Sequence, residues 1–213
     1  MKIAINGMGI AGPALAYWLH RFGHEPTLIE RAPGPRPGGY LVDCWGLGYD
    51  QAEKIGILPE LLELGYHVQE VQWVNAAGKV SAKFNPEILR HMAGDRFVTI
   101  ERGDLAMALY RKIEGKVEMI FGDSIDSINQ YQDRVDVTFE QAAPQSFDLV
   151  VGADGLHSRV RELTFGPMDQ FEKYLKMRVA AIEVDGYQPR DELKFISHTE
   201  PGRQVSRDRK SVV

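Results

Sequence analysis

A single cysteine, Cys44, occurs among the 213 residues, so the chain can form neither an internal disulfide nor a cysteine-built zinc site. No apolar run approaches the length of a bilayer-spanning helix, and the first residues do not join a basic segment to a signal-like apolar stretch. An excess of base is missing too. With 30 acids against 25 lysines and arginines the net charge is -5, which repels nucleic acid and anionic membrane alike. No internal repeat or low-complexity tract is present. These absences set the expectation of a cytoplasmic protein with no nucleic-acid or membrane partner. What is present is 44% hydrophobic content, enough to bury one core and part of another.

The opening of the chain carries the clearest pattern. Lys2 to Asn6 reads as a short apolar strand, and Gly7, Gly9 and Gly12 follow it at once. The first glycine permits the tight turn and the second lets a pyrophosphate approach the backbone, while the third allows helix and strand to pack closely. Pro13 suits a first helical turn, the run from Ala14 to Leu19 continues the helix, and Gly23 stops it. Thr27 to Ile29 forms a second strand that closes on Glu30, where a carboxylate accepts hydrogen bonds from ribose hydroxyls. The pattern predicts a dinucleotide site without choosing between dinucleotides.

After Glu30 the stretch from Arg31 to Gly39 is too rich in proline and glycine for helix or strand, and reads either as a surface connector or as a loop along an extended cofactor. Asp50 to Ile57 and Pro59 to Gly65 read as short helices. Val68 to Asn75 and Lys79 to Phe84 read as a hairpin, which breaks the alternation of a simple doubly wound fold and argues against an ordinary NAD-dependent dehydrogenase. Further strands are expected at Phe97 to Ile100, Val117 to Phe121, Ile125 to Tyr131, Arg134 to Phe139, Asp148 to Val151 and Met177 to Val184. Helices are expected at Asp104 to Ile113 and His157 to Leu163.

Gly152 to Arg161, GADGLHSRVR, forms the second informative cluster. A buried strand ending at Ala153-Asp154-Gly155 puts a carboxylate at the carboxyl edge of a sheet, where open α/β folds bind ligands, and Ser158 suits the cap of the next helix. Taken alone, Asp-Gly is equally a structural turn. His20 and His24 stand four apart with no acid placed as in a metalloprotease, and read as surface residues rather than metal ligands. Neither a nucleophile triad nor a metal constellation is evident.

The glycine turn, Glu30-Arg31, Arg102 in ERGDLAMAL, the stretch GYLVDCWGLGYDQAEKIGIL and DLVVGADGLHSRVR together resemble the FAD-dependent aromatic hydroxylases and monooxygenases, a family that includes para-hydroxybenzoate hydroxylase and the tetracycline-inactivating monooxygenases. The resemblance covers nearly the whole chain. It implies an α/β fold: a Rossmann-like FAD-binding domain of glutathione-reductase type, with an incomplete second, mainly antiparallel β substrate layer. On this basis 1–75 and 96–175 would form the FAD-binding domain, and 76–95 and 176–213 part of the substrate sheet.

The resemblance also implies residue roles. Gly7, Gly9 and Gly12 would hold the FAD pyrophosphate, Glu30 the adenosine ribose, and Arg31 the adenosine side. Arg102 would lie near the ribityl chain and phosphate, its other reading being a surface ion pair, and Asp154 with Gly155 would bind cofactor rather than act as acid or base. FAD reduced by NADPH or NADH would activate dioxygen for transfer to a small aromatic or polycyclic substrate, the protein orienting the ring and excluding water. Cys44 reads as a packed thiol, and Trp45 as a core residue in preference to a face for flavin or substrate. Family members continue into a Gly-Asp motif that binds the ribityl chain, which this sequence does not carry. A truncated product is therefore expected, either a monooxygenase by descent or an inactive flavin-binding remnant, with an unfinished sheet edge able to self-associate.

Overall fold

The computed structural model describes residues 1–36, 38–183, 193–207 and 211–212. The chain forms two compact units, Met1–Pro37 with Leu105–Leu175 and Gly38–Asp104 with Lys176–Val213. The first unit begins with β1 (Lys2–Asn6), α1 (Ala11–Arg21) and β2 (Glu25–Glu30). Only Lys2 of β1 is exposed, the mark of a strand covered on both faces. Helix α1 ends where Gly23 takes φ +80°, while the Gly23 and His24 amides donate back to the His20 and Leu19 carbonyls at 3.0 Å.

The second unit follows with β3 (Leu41–Trp45), α2 (Leu47–Ile55), α3 (Leu58–Leu64), β4 (Glu70–Val74), β5 (Val80–Phe84), α4 (Glu87–Met92) and β6 (Phe97–Glu101). The boundary between units falls in the first turn of α5 (Arg102–Ile113). The first unit then resumes with β7 (Glu118–Phe121), β8 (Ile125–Gln130), β9 (Val135–Phe139), β10 (Gln145–Phe147), β11 (Leu149–Gly152) and α6 (Arg159–Phe165). The second closes with β12 (Ile182–Glu183), β13 (Lys194–Glu200), β14 (Arg203–Arg207) and β15 (Ser211–Val212).

In the first unit a parallel sheet runs in the order β11-β1-β2-β7. Alternation along the strands sends Ile3, Ile5 and Leu28 into one core with Ala16 of α1, Ile113 and Val117. Ala4 and Ile29 enter a second core with Ile125, Val137, Phe139 and Phe147 of the antiparallel sheet β10-β9-β8, and with Val160 of α6. This is the Rossmann-like arrangement expected from the sequence. Ligands bind such sheets where neighbouring connections leave β1 in opposite directions, here between β11 and β2.

The second unit holds a six-stranded sheet, β12-β15-β14-β13-β4-β5, antiparallel except for the β13–β4 pair. It also holds the antiparallel ribbon β3–β6, which contacts α2 and α3. Gly65 ends α3 in an extended conformation, and no side chain fits there because an added Cβ would lie 2.3 Å from a Val98 methyl.

The structure departs from the sequence pattern at several points, and β3, β10 and β13 are strands where the sequence pattern placed none. Met177 to Val184 does not form the expected strand: among its described residues only Ile182–Glu183 is paired, and Met177 and Val179 are exposed. Their apolar character lacks a sheet partner, and a strand needs one. The α4 helix sits between β5 and β6 with no buried residue, and its six residues are too few for the spacing of Ile88, Leu89 and Met92 to stand out as helical in the sequence. Trp45 is not a core residue but is 61% exposed, because strand alternation turns Cys44 inward and Trp45 out. Cys44 is the packed thiol expected, with its titration pushed up by burial.

Candidate functional site

The carboxyl ends of β1, β2 and β11 converge in the first unit. Asn6 pairs with Ile29 on one side and Gly152 on the other, so Gly7, Glu30 and Ala153-Asp154-Gly155 emerge side by side. Gly7 has φ +107°, and a Cβ there would lie 2.5 Å from the Ala153 carbonyl oxygen. At Gly12 a Cβ would lie 1.9 Å from the Gly7 carbonyl oxygen. Both positions therefore require glycine: one for backbone conformation and close approach, the other for helix packing. Gly9 lies in the bend between β1 and α1, half-buried.

Glu30 fastens this turn. One carboxylate oxygen accepts the Met8 amide at 2.9 Å and the other accepts the Ala32 amide at 2.9 Å. Each oxygen accepts more than one hydrogen bond, so capacity remains for hydroxyl donors. Arg31 beside it is exposed. The N-terminus of α1 has Ile10 as its cap residue, no side-chain cap hydrogen bond and no acid in its first turn. Its leading amides and the positive end of the helix dipole are thus left to an external anion.

The neighbouring helix α6 is the opposite case. Ser158 accepts the Arg161 amide at 3.0 Å as a side-chain cap, as its sequence position suggested. Asp154 completes the closure: its Oδ1 accepts the Ser158 hydroxyl, and its Oδ2 accepts the Arg159 amide at 2.7 Å and the Val160 amide at 3.2 Å. The same Oδ2 accepts the side-chain amide of Asn6 at 2.7 Å. Asp154 thereby ties the β11–α6 connection to the end of β1, and Gly155 follows at φ +78°. Asn6 is a site residue that the sequence reading missed. A buried polar residue closing an apolar strand was its one available signal.

Arg102 belongs to the second unit, where its amide donates to the Tyr40 carbonyl at 3.0 Å. That unit contains a cavity of about 1720 Å³. One wall is the β3–β6 ribbon, which presents Leu41, Asp43, Trp45, Phe97 and Thr99. Val71, Phe84 and Phe195 contribute apolar surface from the larger sheet. The Thr99 hydroxyl donates to Asp43 Oδ1 at 2.7 Å. His67 also lines the cavity; burial, then the Arg90 guanidinium, holds its imidazole below the ordinary value.

A family profile described as FAD binding domain matches residues 1–207, and the chain belongs to that family. It is 37% identical over 193 residues to an uncharacterized protein of Mycobacterium tuberculosis, covering 87% of this chain and 50% of the relative. A flavin-dependent monooxygenase of Legionella longbeachae is 38% identical over 165 residues, covering 78% and 42%. The crystal structure of tetracycline destructase Tet(55) superposes with a TM-score of 0.78 at 29% identity, covering 99% of this chain and 54% of that one. The chain spans about half the length of the relatives it matches.

Proposed function

We propose that the chain binds FAD in its first unit, as the cofactor-binding part of a cytoplasmic flavin-dependent monooxygenase that takes electrons from NADPH or NADH and oxygenates an aromatic or polycyclic small molecule. One observation carries the cofactor: an eleven-residue helix without a cap or an acid of its own begins one turn away from the Glu30 carboxylate. A dinucleotide brings what each lacks, a pyrophosphate for the α1 amides and ribose hydroxyls for the carboxylate. The donor and acceptor set fits the group.

In this reading Gly7, Gly9 and Gly12 admit the pyrophosphate, Glu30 accepts from the ribose, and Arg31 flanks the adenosine. Asp154 Oδ2 accepts three donors within the chain and holds Gly155 and its loop in place, while Oδ1, which accepts the Ser158 hydroxyl, keeps capacity for a cofactor donor. Arg102 is proposed as a cofactor residue on the family resemblance alone. The proposed division is 1–75 with 96–175 for the cofactor-binding domain, and 76–95 with 176–213 for the substrate layer, so that β3, β4 and β6 of the cofactor-binding domain line the substrate cavity together with the layer. The cavity of the second unit is the proposed substrate chamber, where apolar walls orient a ring and exclude water. Bound FAD supplies the redox chemistry with dioxygen; the residues named here bind and position.

The test is visible absorbance of the purified chain after incubation with FAD and removal of the free cofactor. Retained yellow flavin that NADPH or NADH bleaches is the expected result, followed by oxygen transfer to an aromatic compound. Tight NAD binding without flavin affinity would sink the proposal, and retained flavin without turnover would confine it to binding.

A further inference from the structure

We propose that Asn6 is a positioning residue of the first unit's cofactor site, fixing the spacing between the glycine turn and the Asp154-Gly155 segment before a dinucleotide arrives, an inference that rests on reading this unit as the FAD site. Asn6 closes the apolar strand β1 and is 6% exposed, and a buried amide is costly unless its hydrogen bonds are met. Its Nδ2 donates to Asp154 Oδ2 at 2.7 Å. A carboxylate only accepts, which settles the orientation of the amide.

The other donors to Asp154 are local. The Ser158 hydroxyl and the Arg159 and Val160 amides lie four, five and six residues along the chain, so they travel with Asp154 wherever the β11–α6 connection moves. Among the described residues Asn6, 148 positions away, is the one donor to this carboxylate from another segment. The bond from the Ala153 amide to the Asn6 carbonyl, 2.8 Å, holds β11 in register with β1 but stops one residue short of Asp154. Gly7 follows Asn6 directly, and a Cβ there would lie 2.6 Å from the Asp154 Cα, so any shift of the connection reaches the turn proposed to admit the pyrophosphate. The ionisable side chains on the neighbouring strand ends are Asp154 itself and Glu30, whose oxygens accept the Met8 and Ala32 amides. Removing the Asn6 amide therefore leaves the α6 cap and the Glu30 turn complete and takes away only the tie between segments. The loss falls on preorganisation, and so on affinity.

The experiment is calorimetric titration of FAD into the parent chain, Asn6→Leu and Asn6→Asp, each at about pH 7.5 and about pH 5.5, with circular dichroism to show which chains are folded. Asn6→Leu keeps the shape without the donor and is expected to bind FAD about ten-fold or more weakly than the parent at both pH values. Asn6→Asp sets a second carboxylate against Asp154. Its binding should be weakened at least as much at the higher pH and recover to within about three-fold of the parent at the lower, where one proton shared by the pair restores the donor. A side chain that merely filled space would give no such recovery. Gln130→Glu adds an exposed acid on β8 and should match the parent at both pH values, separating the local effect from net charge. Parent-like affinity in folded Asn6→Leu, or no recovery in folded Asn6→Asp, would overturn the role of Asn6 and leave the FAD reading standing; where one variant does not fold, the other decides. Failure of the parent chain to bind FAD would overturn the FAD reading and the role of Asn6 with it.

Discussion

Around Gly7 and Gly12 the first unit is packed so closely that one added Cβ would lie 2.5 and 1.9 Å from backbone carbonyl oxygens. In the second unit's cavity, by contrast, Trp45 is 61% and Leu89 54% exposed. The first site is made of backbone and helix ends, held by Glu30 and Asp154 from neighbouring strand ends. The second is made of side chains on two sheets, with α4 contributing Glu87, Leu89 and Arg90 although no residue of that helix is buried. A site of the first kind tolerates almost no substitution and suits one constant ligand. A site of the second kind can be rebuilt residue by residue, which suits a variable one.

Substitutions can break this comparison, beginning where its tight half is tightest. Gly12→Ala forces a methyl into the Gly7 carbonyl, and the neighbouring atoms are backbone with little room to shift. A loss of about 3 kcal/mol or more is expected, read from the urea midpoint, and a loss below about 1 kcal/mol would show that the turn gives way. Asp123, 2% exposed, accepts the amides of Ser124 and Ala142 at 2.8 Å and Gln141 at 3.1 Å. Burial alone would raise this carboxyl, but those amides together with that of Glu140 hold it below its ordinary value. A folded value below the unfolded one means stabilisation that is complete above the ordinary value of 3.8 and is lost as pH falls through the depressed value. Asp123→Ala should therefore cost about 3 kcal/mol at neutral pH, and its deficit against the parent should shrink on acidification.

Asp154→Ala removes a helix cap and the tie to Asn6, with an expected cost of about 1–2 kcal/mol in stability. Cofactor affinity should fall with it, and an unchanged affinity would remove Asp154 from the site. At the small end, Trp45→Ala should change stability by no more than about 0.5 kcal/mol, since its side chain is mostly in solvent. A large loss there would mean that the cavity wall is as tightly built as the glycine turn.

The same contrast explains which parts were legible in the sequence. Gly7, Gly9, Gly12, Glu30 and the Ser158 cap are local: each does its work within a turn, a helix end or a strand end, so their spacing carries the information. The hairpin β4–β5 was legible for the same reason, through its turn and its strand-like flanks. The Asn6–Asp154 bond joins residues 148 apart in the chain, and no periodicity encodes it. Trp45 read as core because an aromatic in an apolar stretch usually is, and only the register of β3 against β6 shows which face it takes. The cavity was illegible altogether, since its walls come from strands that pair across the whole second unit.

The uncapped α1 terminus and Glu30 are proposed together as the FAD site of the first unit. Calorimetric titration of FAD into the parent chain and into Glu30→Ala tests it most directly, with circular dichroism confirming that both are folded. Saturable binding by the parent is expected, weakened about ten-fold or more in the variant through lost ribose hydrogen bonds and a loosened Met8 turn. Equal affinity of the two folded chains for FAD, or no FAD binding by the parent, would contradict it.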